Sequence, residues 1–273
     1  LPTNNKNISL VDFINQEEEE LDVSLLRDFS QNWALTFKLP KNSIHALTMI
    51  EKNSEKLSYF FPEISQGLIA YDKYRGQSEN IIKTRAFHYN AYHKGLKKWL
   101  LGGDIKKYQV DWNGEEYFDY CEGIANPREP KYFKGKRMLV REITNPSIFA
   151  AITNSELYND PAVLIVKESD YSLEAVALIL NSTLGAFYHF NTSPKATKGD
   201  FPKILVKDIK EFPITINLES VDKSFFSTIY LLAEYSIKHD FYKSIYKSVI
   251  DSIVFQLYFP KHMQEKQIDI LQF

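Results

Sequence analysis

Residues 133–142 read FKGKRMLVRE, and the reading of the fold starts from the apolar triplet inside them. Met138, Leu139 and Val140 follow Gly135 and lie between charged residues, as a short strand does when turn residues bound it. Side chains alternate across a strand, so Arg137, Leu139 and Arg141 share one face while Met138 and Val140 share the other. The same texture extends on both sides. From Ile64 to about Val166, short apolar or aromatic runs such as Tyr117–Tyr120 and Ala162–Val166 are broken by Gly, Asn and Pro, which predicts several short strands.

Further out the period lengthens. Leu173, Val176, Leu180, Leu184 and Phe187 recur at helical spacing, predicting one buried helix from Leu173 to Phe190, and Asn191–Pro202 is a turn-rich loop. Upstream, Ile44, Leu47, Ile50 and Leu57 predict an amphipathic helix between Asn42 and Leu57, with Ser43 as its cap and Pro62 closing the segment. Downstream of Pro213, one apolar stripe runs through Phe225, Ile229 and Leu232 and a second through Ile245, Val249, Ile253 and Leu257. The break near His239–Asp240 predicts a helical hairpin. The expected class is α+β: a mixed-sheet middle bracketed by helices, with a C-terminal helical hairpin. Residues 1–60 are expected to be a linker and helix, with residues 1 to about 30 suiting a linker or an exposed helix. Residues 61–215 then form the central domain and 216–273 a C-terminal helical segment.

With 273 residues, 44% hydrophobic and 25% charged, the chain has a globular composition and enough length to bury a core without staples. The single Cys121 excludes an internal disulfide and suits a reducing cytoplasm. The chain opens on Leu1 with no signal-peptide pattern, so it is expected to be an excerpt of a longer polypeptide. No long uncharged apolar run is present, because Glu234, Lys238 and Asp240 interrupt the best stretch; a membrane-spanning role is set aside. The formal net charge of -2 hides segregation. Acid prevails up to Gln66, including the run Glu17–Glu20, and base prevails from Gly67 to Val110 and again from Arg128 to Arg141.

Catalytic motifs are scarce. There is no dinucleotide-binding glycine motif, no P-loop, no zincin motif and no cysteine pair for zinc, and the six histidines show no metal-ligand spacing. Asn126-Pro127-Arg128 and Asn145-Pro146-Ser147 share only a dipeptide with the Asn-Pro-Pro-Tyr tetrapeptide that DNA amino-methylation uses. Three acid-x-Lys tripeptides (Asp104-Ile105-Lys106, Glu129-Pro130-Lys131 and Asp208-Ile209-Lys210) keep a metal-dependent nuclease fragment open as an alternative, although chance alone supplies such matches. The positive signal is lysine and arginine interleaved with Tyr71, Tyr74, Phe87, Tyr92, Trp99, Tyr108 and Trp112, a composition that suits nucleic acid.

The order of several short pieces is more specific. These are Gly67–Gly76, Leu100–Tyr108, Tyr117–Tyr120, Pro127–Pro130, Phe133–Glu142, Leu178–Ser182, Phe201–Ile204, Phe212–Ile214 and Ile250–Tyr258. In that order they resemble the TaqI-like C-terminal specificity domain of type IIG restriction-modification enzymes and adenine-specific DNA methyltransferases. The resemblance implies a non-catalytic module that recognises duplex DNA, partnered by the parent's methyltransferase domain. S-adenosylmethionine and magnesium would then be used by the parent and no cofactor by this stretch. A base is flipped out of the duplex in such enzymes.

Arginine reads guanine and Asn or Gln reads adenine in the major groove. The candidate DNA contacts are accordingly Lys73, Arg75, Gln77, Arg85 and His88 in the first basic stretch, and Asn191, Ser193, Lys195, Thr197 and Lys198 in the later loop. Lys106 and Lys107, presented by the Gly102-Gly103 turn, and Arg137 and Arg141 join them; the two arginines are equally suited to pair with Glu129 or Glu142 inside the domain. A protein-interaction or dimerisation domain using the helices after Ser220 is the third open reading.

Overall fold

The structure, a computed structural model, describes residues 7–12, 17–22, 39–196 and 201–271. At its centre β4 (Ile64–Gln66), β8 (Arg137–Arg141), β9 (Ala150–Thr153) and β11 (Val163–Lys167) form an antiparallel sheet in the order β4-β11-β8-β9. Leu139 stands opposite both Ile165 and Ala151, and alternation from there sorts the side chains. Met138, Val140, Leu164 and Val166 enter one core, and Leu139, Val163, Ile165 and Ala151 enter another. A sheet covered on both faces reads as a continuous apolar run and not as an alternating one, which is why AVLIV carries no polar residue.

The second core is closed by a smaller sheet, ordered β10-β6-β7-β5, of β5 (His88–Tyr89), β6 (Lys97–Leu100), β7 (Tyr117–Phe118) and β10 (Tyr158–Asn159). The β10–β6 pair is parallel and the other two pairs are antiparallel, so this sheet is mixed. Its Trp99, Leu100, Phe118 and Tyr158 belong to this core together with Leu139, Val163 and Ile165 of the central sheet. Two further antiparallel pairs lie outside these sheets: β3 (Ser54–Lys56) with β12 (Pro213–Thr215), and β1 (Asn7–Asp12) with β2 (Glu17–Asp22). Strands β1 and β2 stand where a linker or an exposed helix was expected.

In chain order the helices used below are α1 (Lys41–Lys52), α2 (Leu57–Phe60), α3 (Glu79–Lys83), α4 (Leu173–Asn181), α5 (Thr183–Thr192), α6 (Val206–Glu211), α7 (Lys223–Ile237) and α8 (Asp240–Tyr258). The hairpin of α7 and α8 turns at Lys238–His239, as the pattern predicts. Helix α1 is capped by Pro40 and not by Ser43, whose own N–H already bonds the Pro40 carbonyl at 2.9 Å. The single helix expected from Leu173 to Phe190 is two. Ser182 ends α4, and its hydroxyl accepts the Gly185 N–H at 3.0 Å to start α5, while a Cβ on Gly185 would lie 2.3 Å from the Ile179 carbonyl. The apolar spacing runs through the break because both helices bury residues in the same core.

That core joins Ile50 and Leu57 to the helical face of the central sheet, to α4 and to Phe226, Tyr230, Ile253 and Leu257. The outer edge of β9 is also capped by side chains. Asn181 exchanges two hydrogen bonds with the Ala150 backbone (3.0 and 2.8 Å), and the Tyr230 hydroxyl accepts the Ile152 N–H at 2.8 Å. An edge satisfied in this way offers no pairing row to another chain.

His189 is buried at 2% exposure with Nε2 3.1 Å from the Thr144 hydroxyl, and burial pushes its pKa down to about 4. The unfolded chain therefore binds the extra proton between pH ~6.5 and ~4. The neutral ring's contribution is complete above the upper limit and falls away through that window, by about 3 kcal/mol. Denaturant midpoints of wild type and His189→Gln at pH 7 and pH 4.5 test this. The variant is expected to lose less on acidification, and an equal loss would refute the assignment.

Candidate nucleic-acid interface

The first basic stretch is organised around a short 3-10 turn, Lys73–Arg75, between the Asp72 cap and Gly76, whose φ of 80° suits glycine. Asp72 accepts the Tyr74 N–H at 2.9 Å, and Lys73, Tyr74 and Arg75 all project into solvent. Tyr74 is 84% exposed with the Lys73 ammonium 4.8 Å from its ring centre. Gln77 holds this turn in place. Its amide nitrogen donates to the carbonyls of Ala70 (2.9 Å) and Gly123 (2.7 Å), and its oxygen accepts the Asp72 N–H at 2.8 Å. An amide spent on three backbone groups has little left for a base edge, so Gln77 positions the turn.

Beyond α3, Arg85 is exposed but bound to Glu116 at 2.6 Å, and His88 turns inward. The Tyr71 hydroxyl accepts the Phe87 N–H at 2.9 Å and lies 2.7 Å from His88 Nδ1, which leaves Nε2 as the other ring nitrogen. That nitrogen is buried without a polar partner, beside Trp99 and Phe118 at ring-centre distances of 4.7 and 5.0 Å. Burial, and to a smaller degree Arg85, pushes the His88 pKa down to about 4, so the ring is neutral at pH 7. His88 belongs to the packing of the small sheet and is corrected from the set of base readers.

Arg137 needs the same correction. It is fully buried, and its guanidinium donates to the carbonyls of Gly135 (2.9 Å), Ser155 (2.9 Å) and Leu157 (3.2 Å). It pairs with neither of the expected carboxylates, Glu129 and Glu142; the neighbouring Lys136 pairs with Glu174 at 2.7 Å. Arg141 is half-buried over the Phe149 ring at 5.1 Å. Lys107 donates to the Asn181 carbonyl at 2.7 Å, with burial lowering its pKa, while Lys106 stays exposed.

In the later loop Asn191 donates back to Phe187 at 2.7 Å and Ser193 is 5% exposed, so both serve the end of α5; Lys195 is exposed. Thr197 and Lys198 lie outside the described residues. The surface cations left from the candidate set are thus Lys73, Arg75, Lys106 and Lys195, with Arg85 shared with Glu116. Composition flagged Tyr74 and Tyr92 only as members of an aromatic series. The structure separates them, 84% and 62% exposed, from the buried Trp99 and Tyr108.

The acids of the three acid-x-Lys tripeptides cap or close short helical turns. Asp104 accepts the Leu101 N–H and Asp208 the Leu205 N–H, both at 2.8 Å, while Glu129 precedes a 3-10 helix and shares Lys131 with Glu63. Among the described residues no group of three or more His, Cys, Asp or Glu is placed to hold a metal ion, and no helix is long and apolar enough to cross a membrane.

Residues 97–214, from β6 to β12, match the family described as the TaqI-like C-terminal specificity domain. The resemblance drawn from the landmarks holds over that span; the pieces at Gly67–Gly76 and Ile250–Tyr258 lie outside it. No curated protein matches the chain. Among solved structures, the type IIG restriction endonuclease BpuSI is similar at TM-score 0.47 and 11% identity, over 90% of this chain and 36% of that one. A structure of a type I restriction-modification system is similar at TM-score 0.37 and 12% identity, over 74% of this chain and 44% of that one. The chain thus spans less than half the length of either.

Proposed function

We propose that this chain is the duplex-DNA recognition part of a restriction-modification enzyme of the type IIG kind, because residues 97–214 match the TaqI-like C-terminal specificity domain. It selects the site, and methylation or cleavage is performed by a part of the parent outside this sequence. The family match is the observation that carries the reading. The exposed cations support it, since phosphate contacts supply most of the affinity of such modules and fix their register on the duplex. In this reading Lys73, Arg75, Lys106 and Lys195 meet the phosphates or groove edges, and the partner is an adenine methyltransferase domain that uses S-adenosylmethionine. Magnesium serves only the parent's cleavage step, and the setting is cytoplasmic.

The test is a duplex titration across salt. Each phosphate neutralised contributes about -0.9 to the slope of log affinity against log salt, so Lys73→Gln and Arg75→Gln together are expected to flatten that slope by roughly one to two units. Duplex affinity independent of salt would sink the proposal.

A further inference from the structure

On the other face of the small sheet Tyr89 and Tyr92 are exposed, while Tyr117 and Trp112 are half-buried, with Trp112 also packed against the second core. Tyr89 and Lys98 both stand opposite Tyr117 in the ladder, so all three project away from buried Phe118 and Trp99. Tyr92 packs on Tyr117 at 5.5 Å and Trp112 meets it at 5.4 Å. The Trp112 indole N–H donates to the Trp99 carbonyl at 2.9 Å, which fixes the ring, and the Lys98 ammonium lies 4.6 Å from the Trp112 ring centre. Lys94 and Lys98 are exposed and enter no ion pair among the described residues, whereas Glu116 is occupied by Arg85.

Such a surface suits a particular state of DNA. A duplex offers base edges in its grooves, while a group of exposed rings offers π-faces that only unstacked bases can use. We propose that this outer face is a stacking platform for unpaired nucleotides of a DNA strand. Tyr89, Tyr92, Trp112 and Tyr117 receive the bases, and Lys94 and Lys98 hold the phosphates. Asp111 and Glu115 are exposed beside Trp112, so the backbone runs on the lysine side. The proposal rests on the reading that this chain works on DNA, and it adds a contact with unpaired bases. Stacking is tolerant of sequence, so this face contributes affinity and not choice of site.

The experiment uses the whole chain, a short fluorescently labelled oligothymidylate, and a duplex of the same length. Oligothymidylate is expected to bind and to quench tryptophan emission, with the quench lost in Trp112→Phe. Tyr92→Ala is expected to weaken that binding about tenfold while duplex affinity changes less than twofold. Because Tyr92 is 62% exposed, its removal leaves the core intact, and Lys98→Gln provides a second variant with the same expected direction. Duplex binding that persists while the oligothymidylate fails to bind, or binds without quenching Trp112, overturns this inference alone. Failure of both ligands overturns the DNA reading as well.

Discussion

Arg137→Ala is expected to cost the fold about 4 kcal/mol, a large share of the stability of an ordinary domain. The guanidinium is fully buried, and burial lowers its pKa to about 10, so it remains charged at neutral pH. Its charge is balanced by the carbonyls of Gly135, Ser155 and Leu157, with Glu156 close enough to favour the cation. Alanine removes every donor and leaves those oxygens facing a hole. A buried carbonyl without a partner costs about 1–3 kcal/mol, and the lost volume adds to it. Arg137→Met restores volume but not donors and is expected to fall between alanine and wild type. Denaturant unfolding followed by circular dichroism gives the ranking; an alanine variant within about 1 kcal/mol of wild type would show that water satisfies the carbonyls instead. The same result governs DNA-binding assays on this residue, where lost binding would report lost fold.

Gly67→Ala is expected to cost about 3 kcal/mol through overpacking. A Cβ there would lie 2.0 Å from the Asp160 carbonyl oxygen, 2.3 Å from that of Asn159 and 2.4 Å from the Asn159 side-chain nitrogen. Two of these are backbone atoms that cannot swing aside. The Gly67 N–H bonds the Val163 carbonyl at 3.1 Å and the Leu68 N–H bonds the Asn159 carbonyl at 3.0 Å, so a shift that relieved the clash would break the passage from β4 into the second core. Gly103 is the control: a Cβ there meets nothing within 4 Å, and Gly103→Ala is expected to change stability by less than about 0.5 kcal/mol. Equal melting temperatures for the two variants would refute the close approach at Gly67.

Much of the architecture was legible because it is local. Turn residues around Met138–Val140 and Ala162–Val166 marked β8 and β11, and the 3.6-residue spacing after Pro213 marked α7 and α8. The break at Ser182 was missed, since a stripe of core residues keeps its period across a kink when both halves face one core. Among candidate contacts, residue type alone overcounted. Gln77, His88 and Arg137 are residue types that DNA readers use, yet each is engaged by groups brought in by the fold: Gly123, Tyr71 and the carbonyls of residues 155 and 157. The ring face at Tyr117 was equally hidden, because Tyr89 and Lys98 join it through strand register and Tyr92 and Trp112 through loop packing.

Composition, period and the order of landmarks settled the α+β class, the positions of the long helices and the resemblance over residues 97–214, because each depends on residues close along the chain. Which side of β8 is wet depended instead on coverage. Period two places Arg137 with Leu139 and Arg141 whatever surrounds them, but nothing near Arg137 in sequence announces that the small sheet closes over that face. Burial is a property of two surfaces meeting, and the second surface comes from elsewhere in the chain.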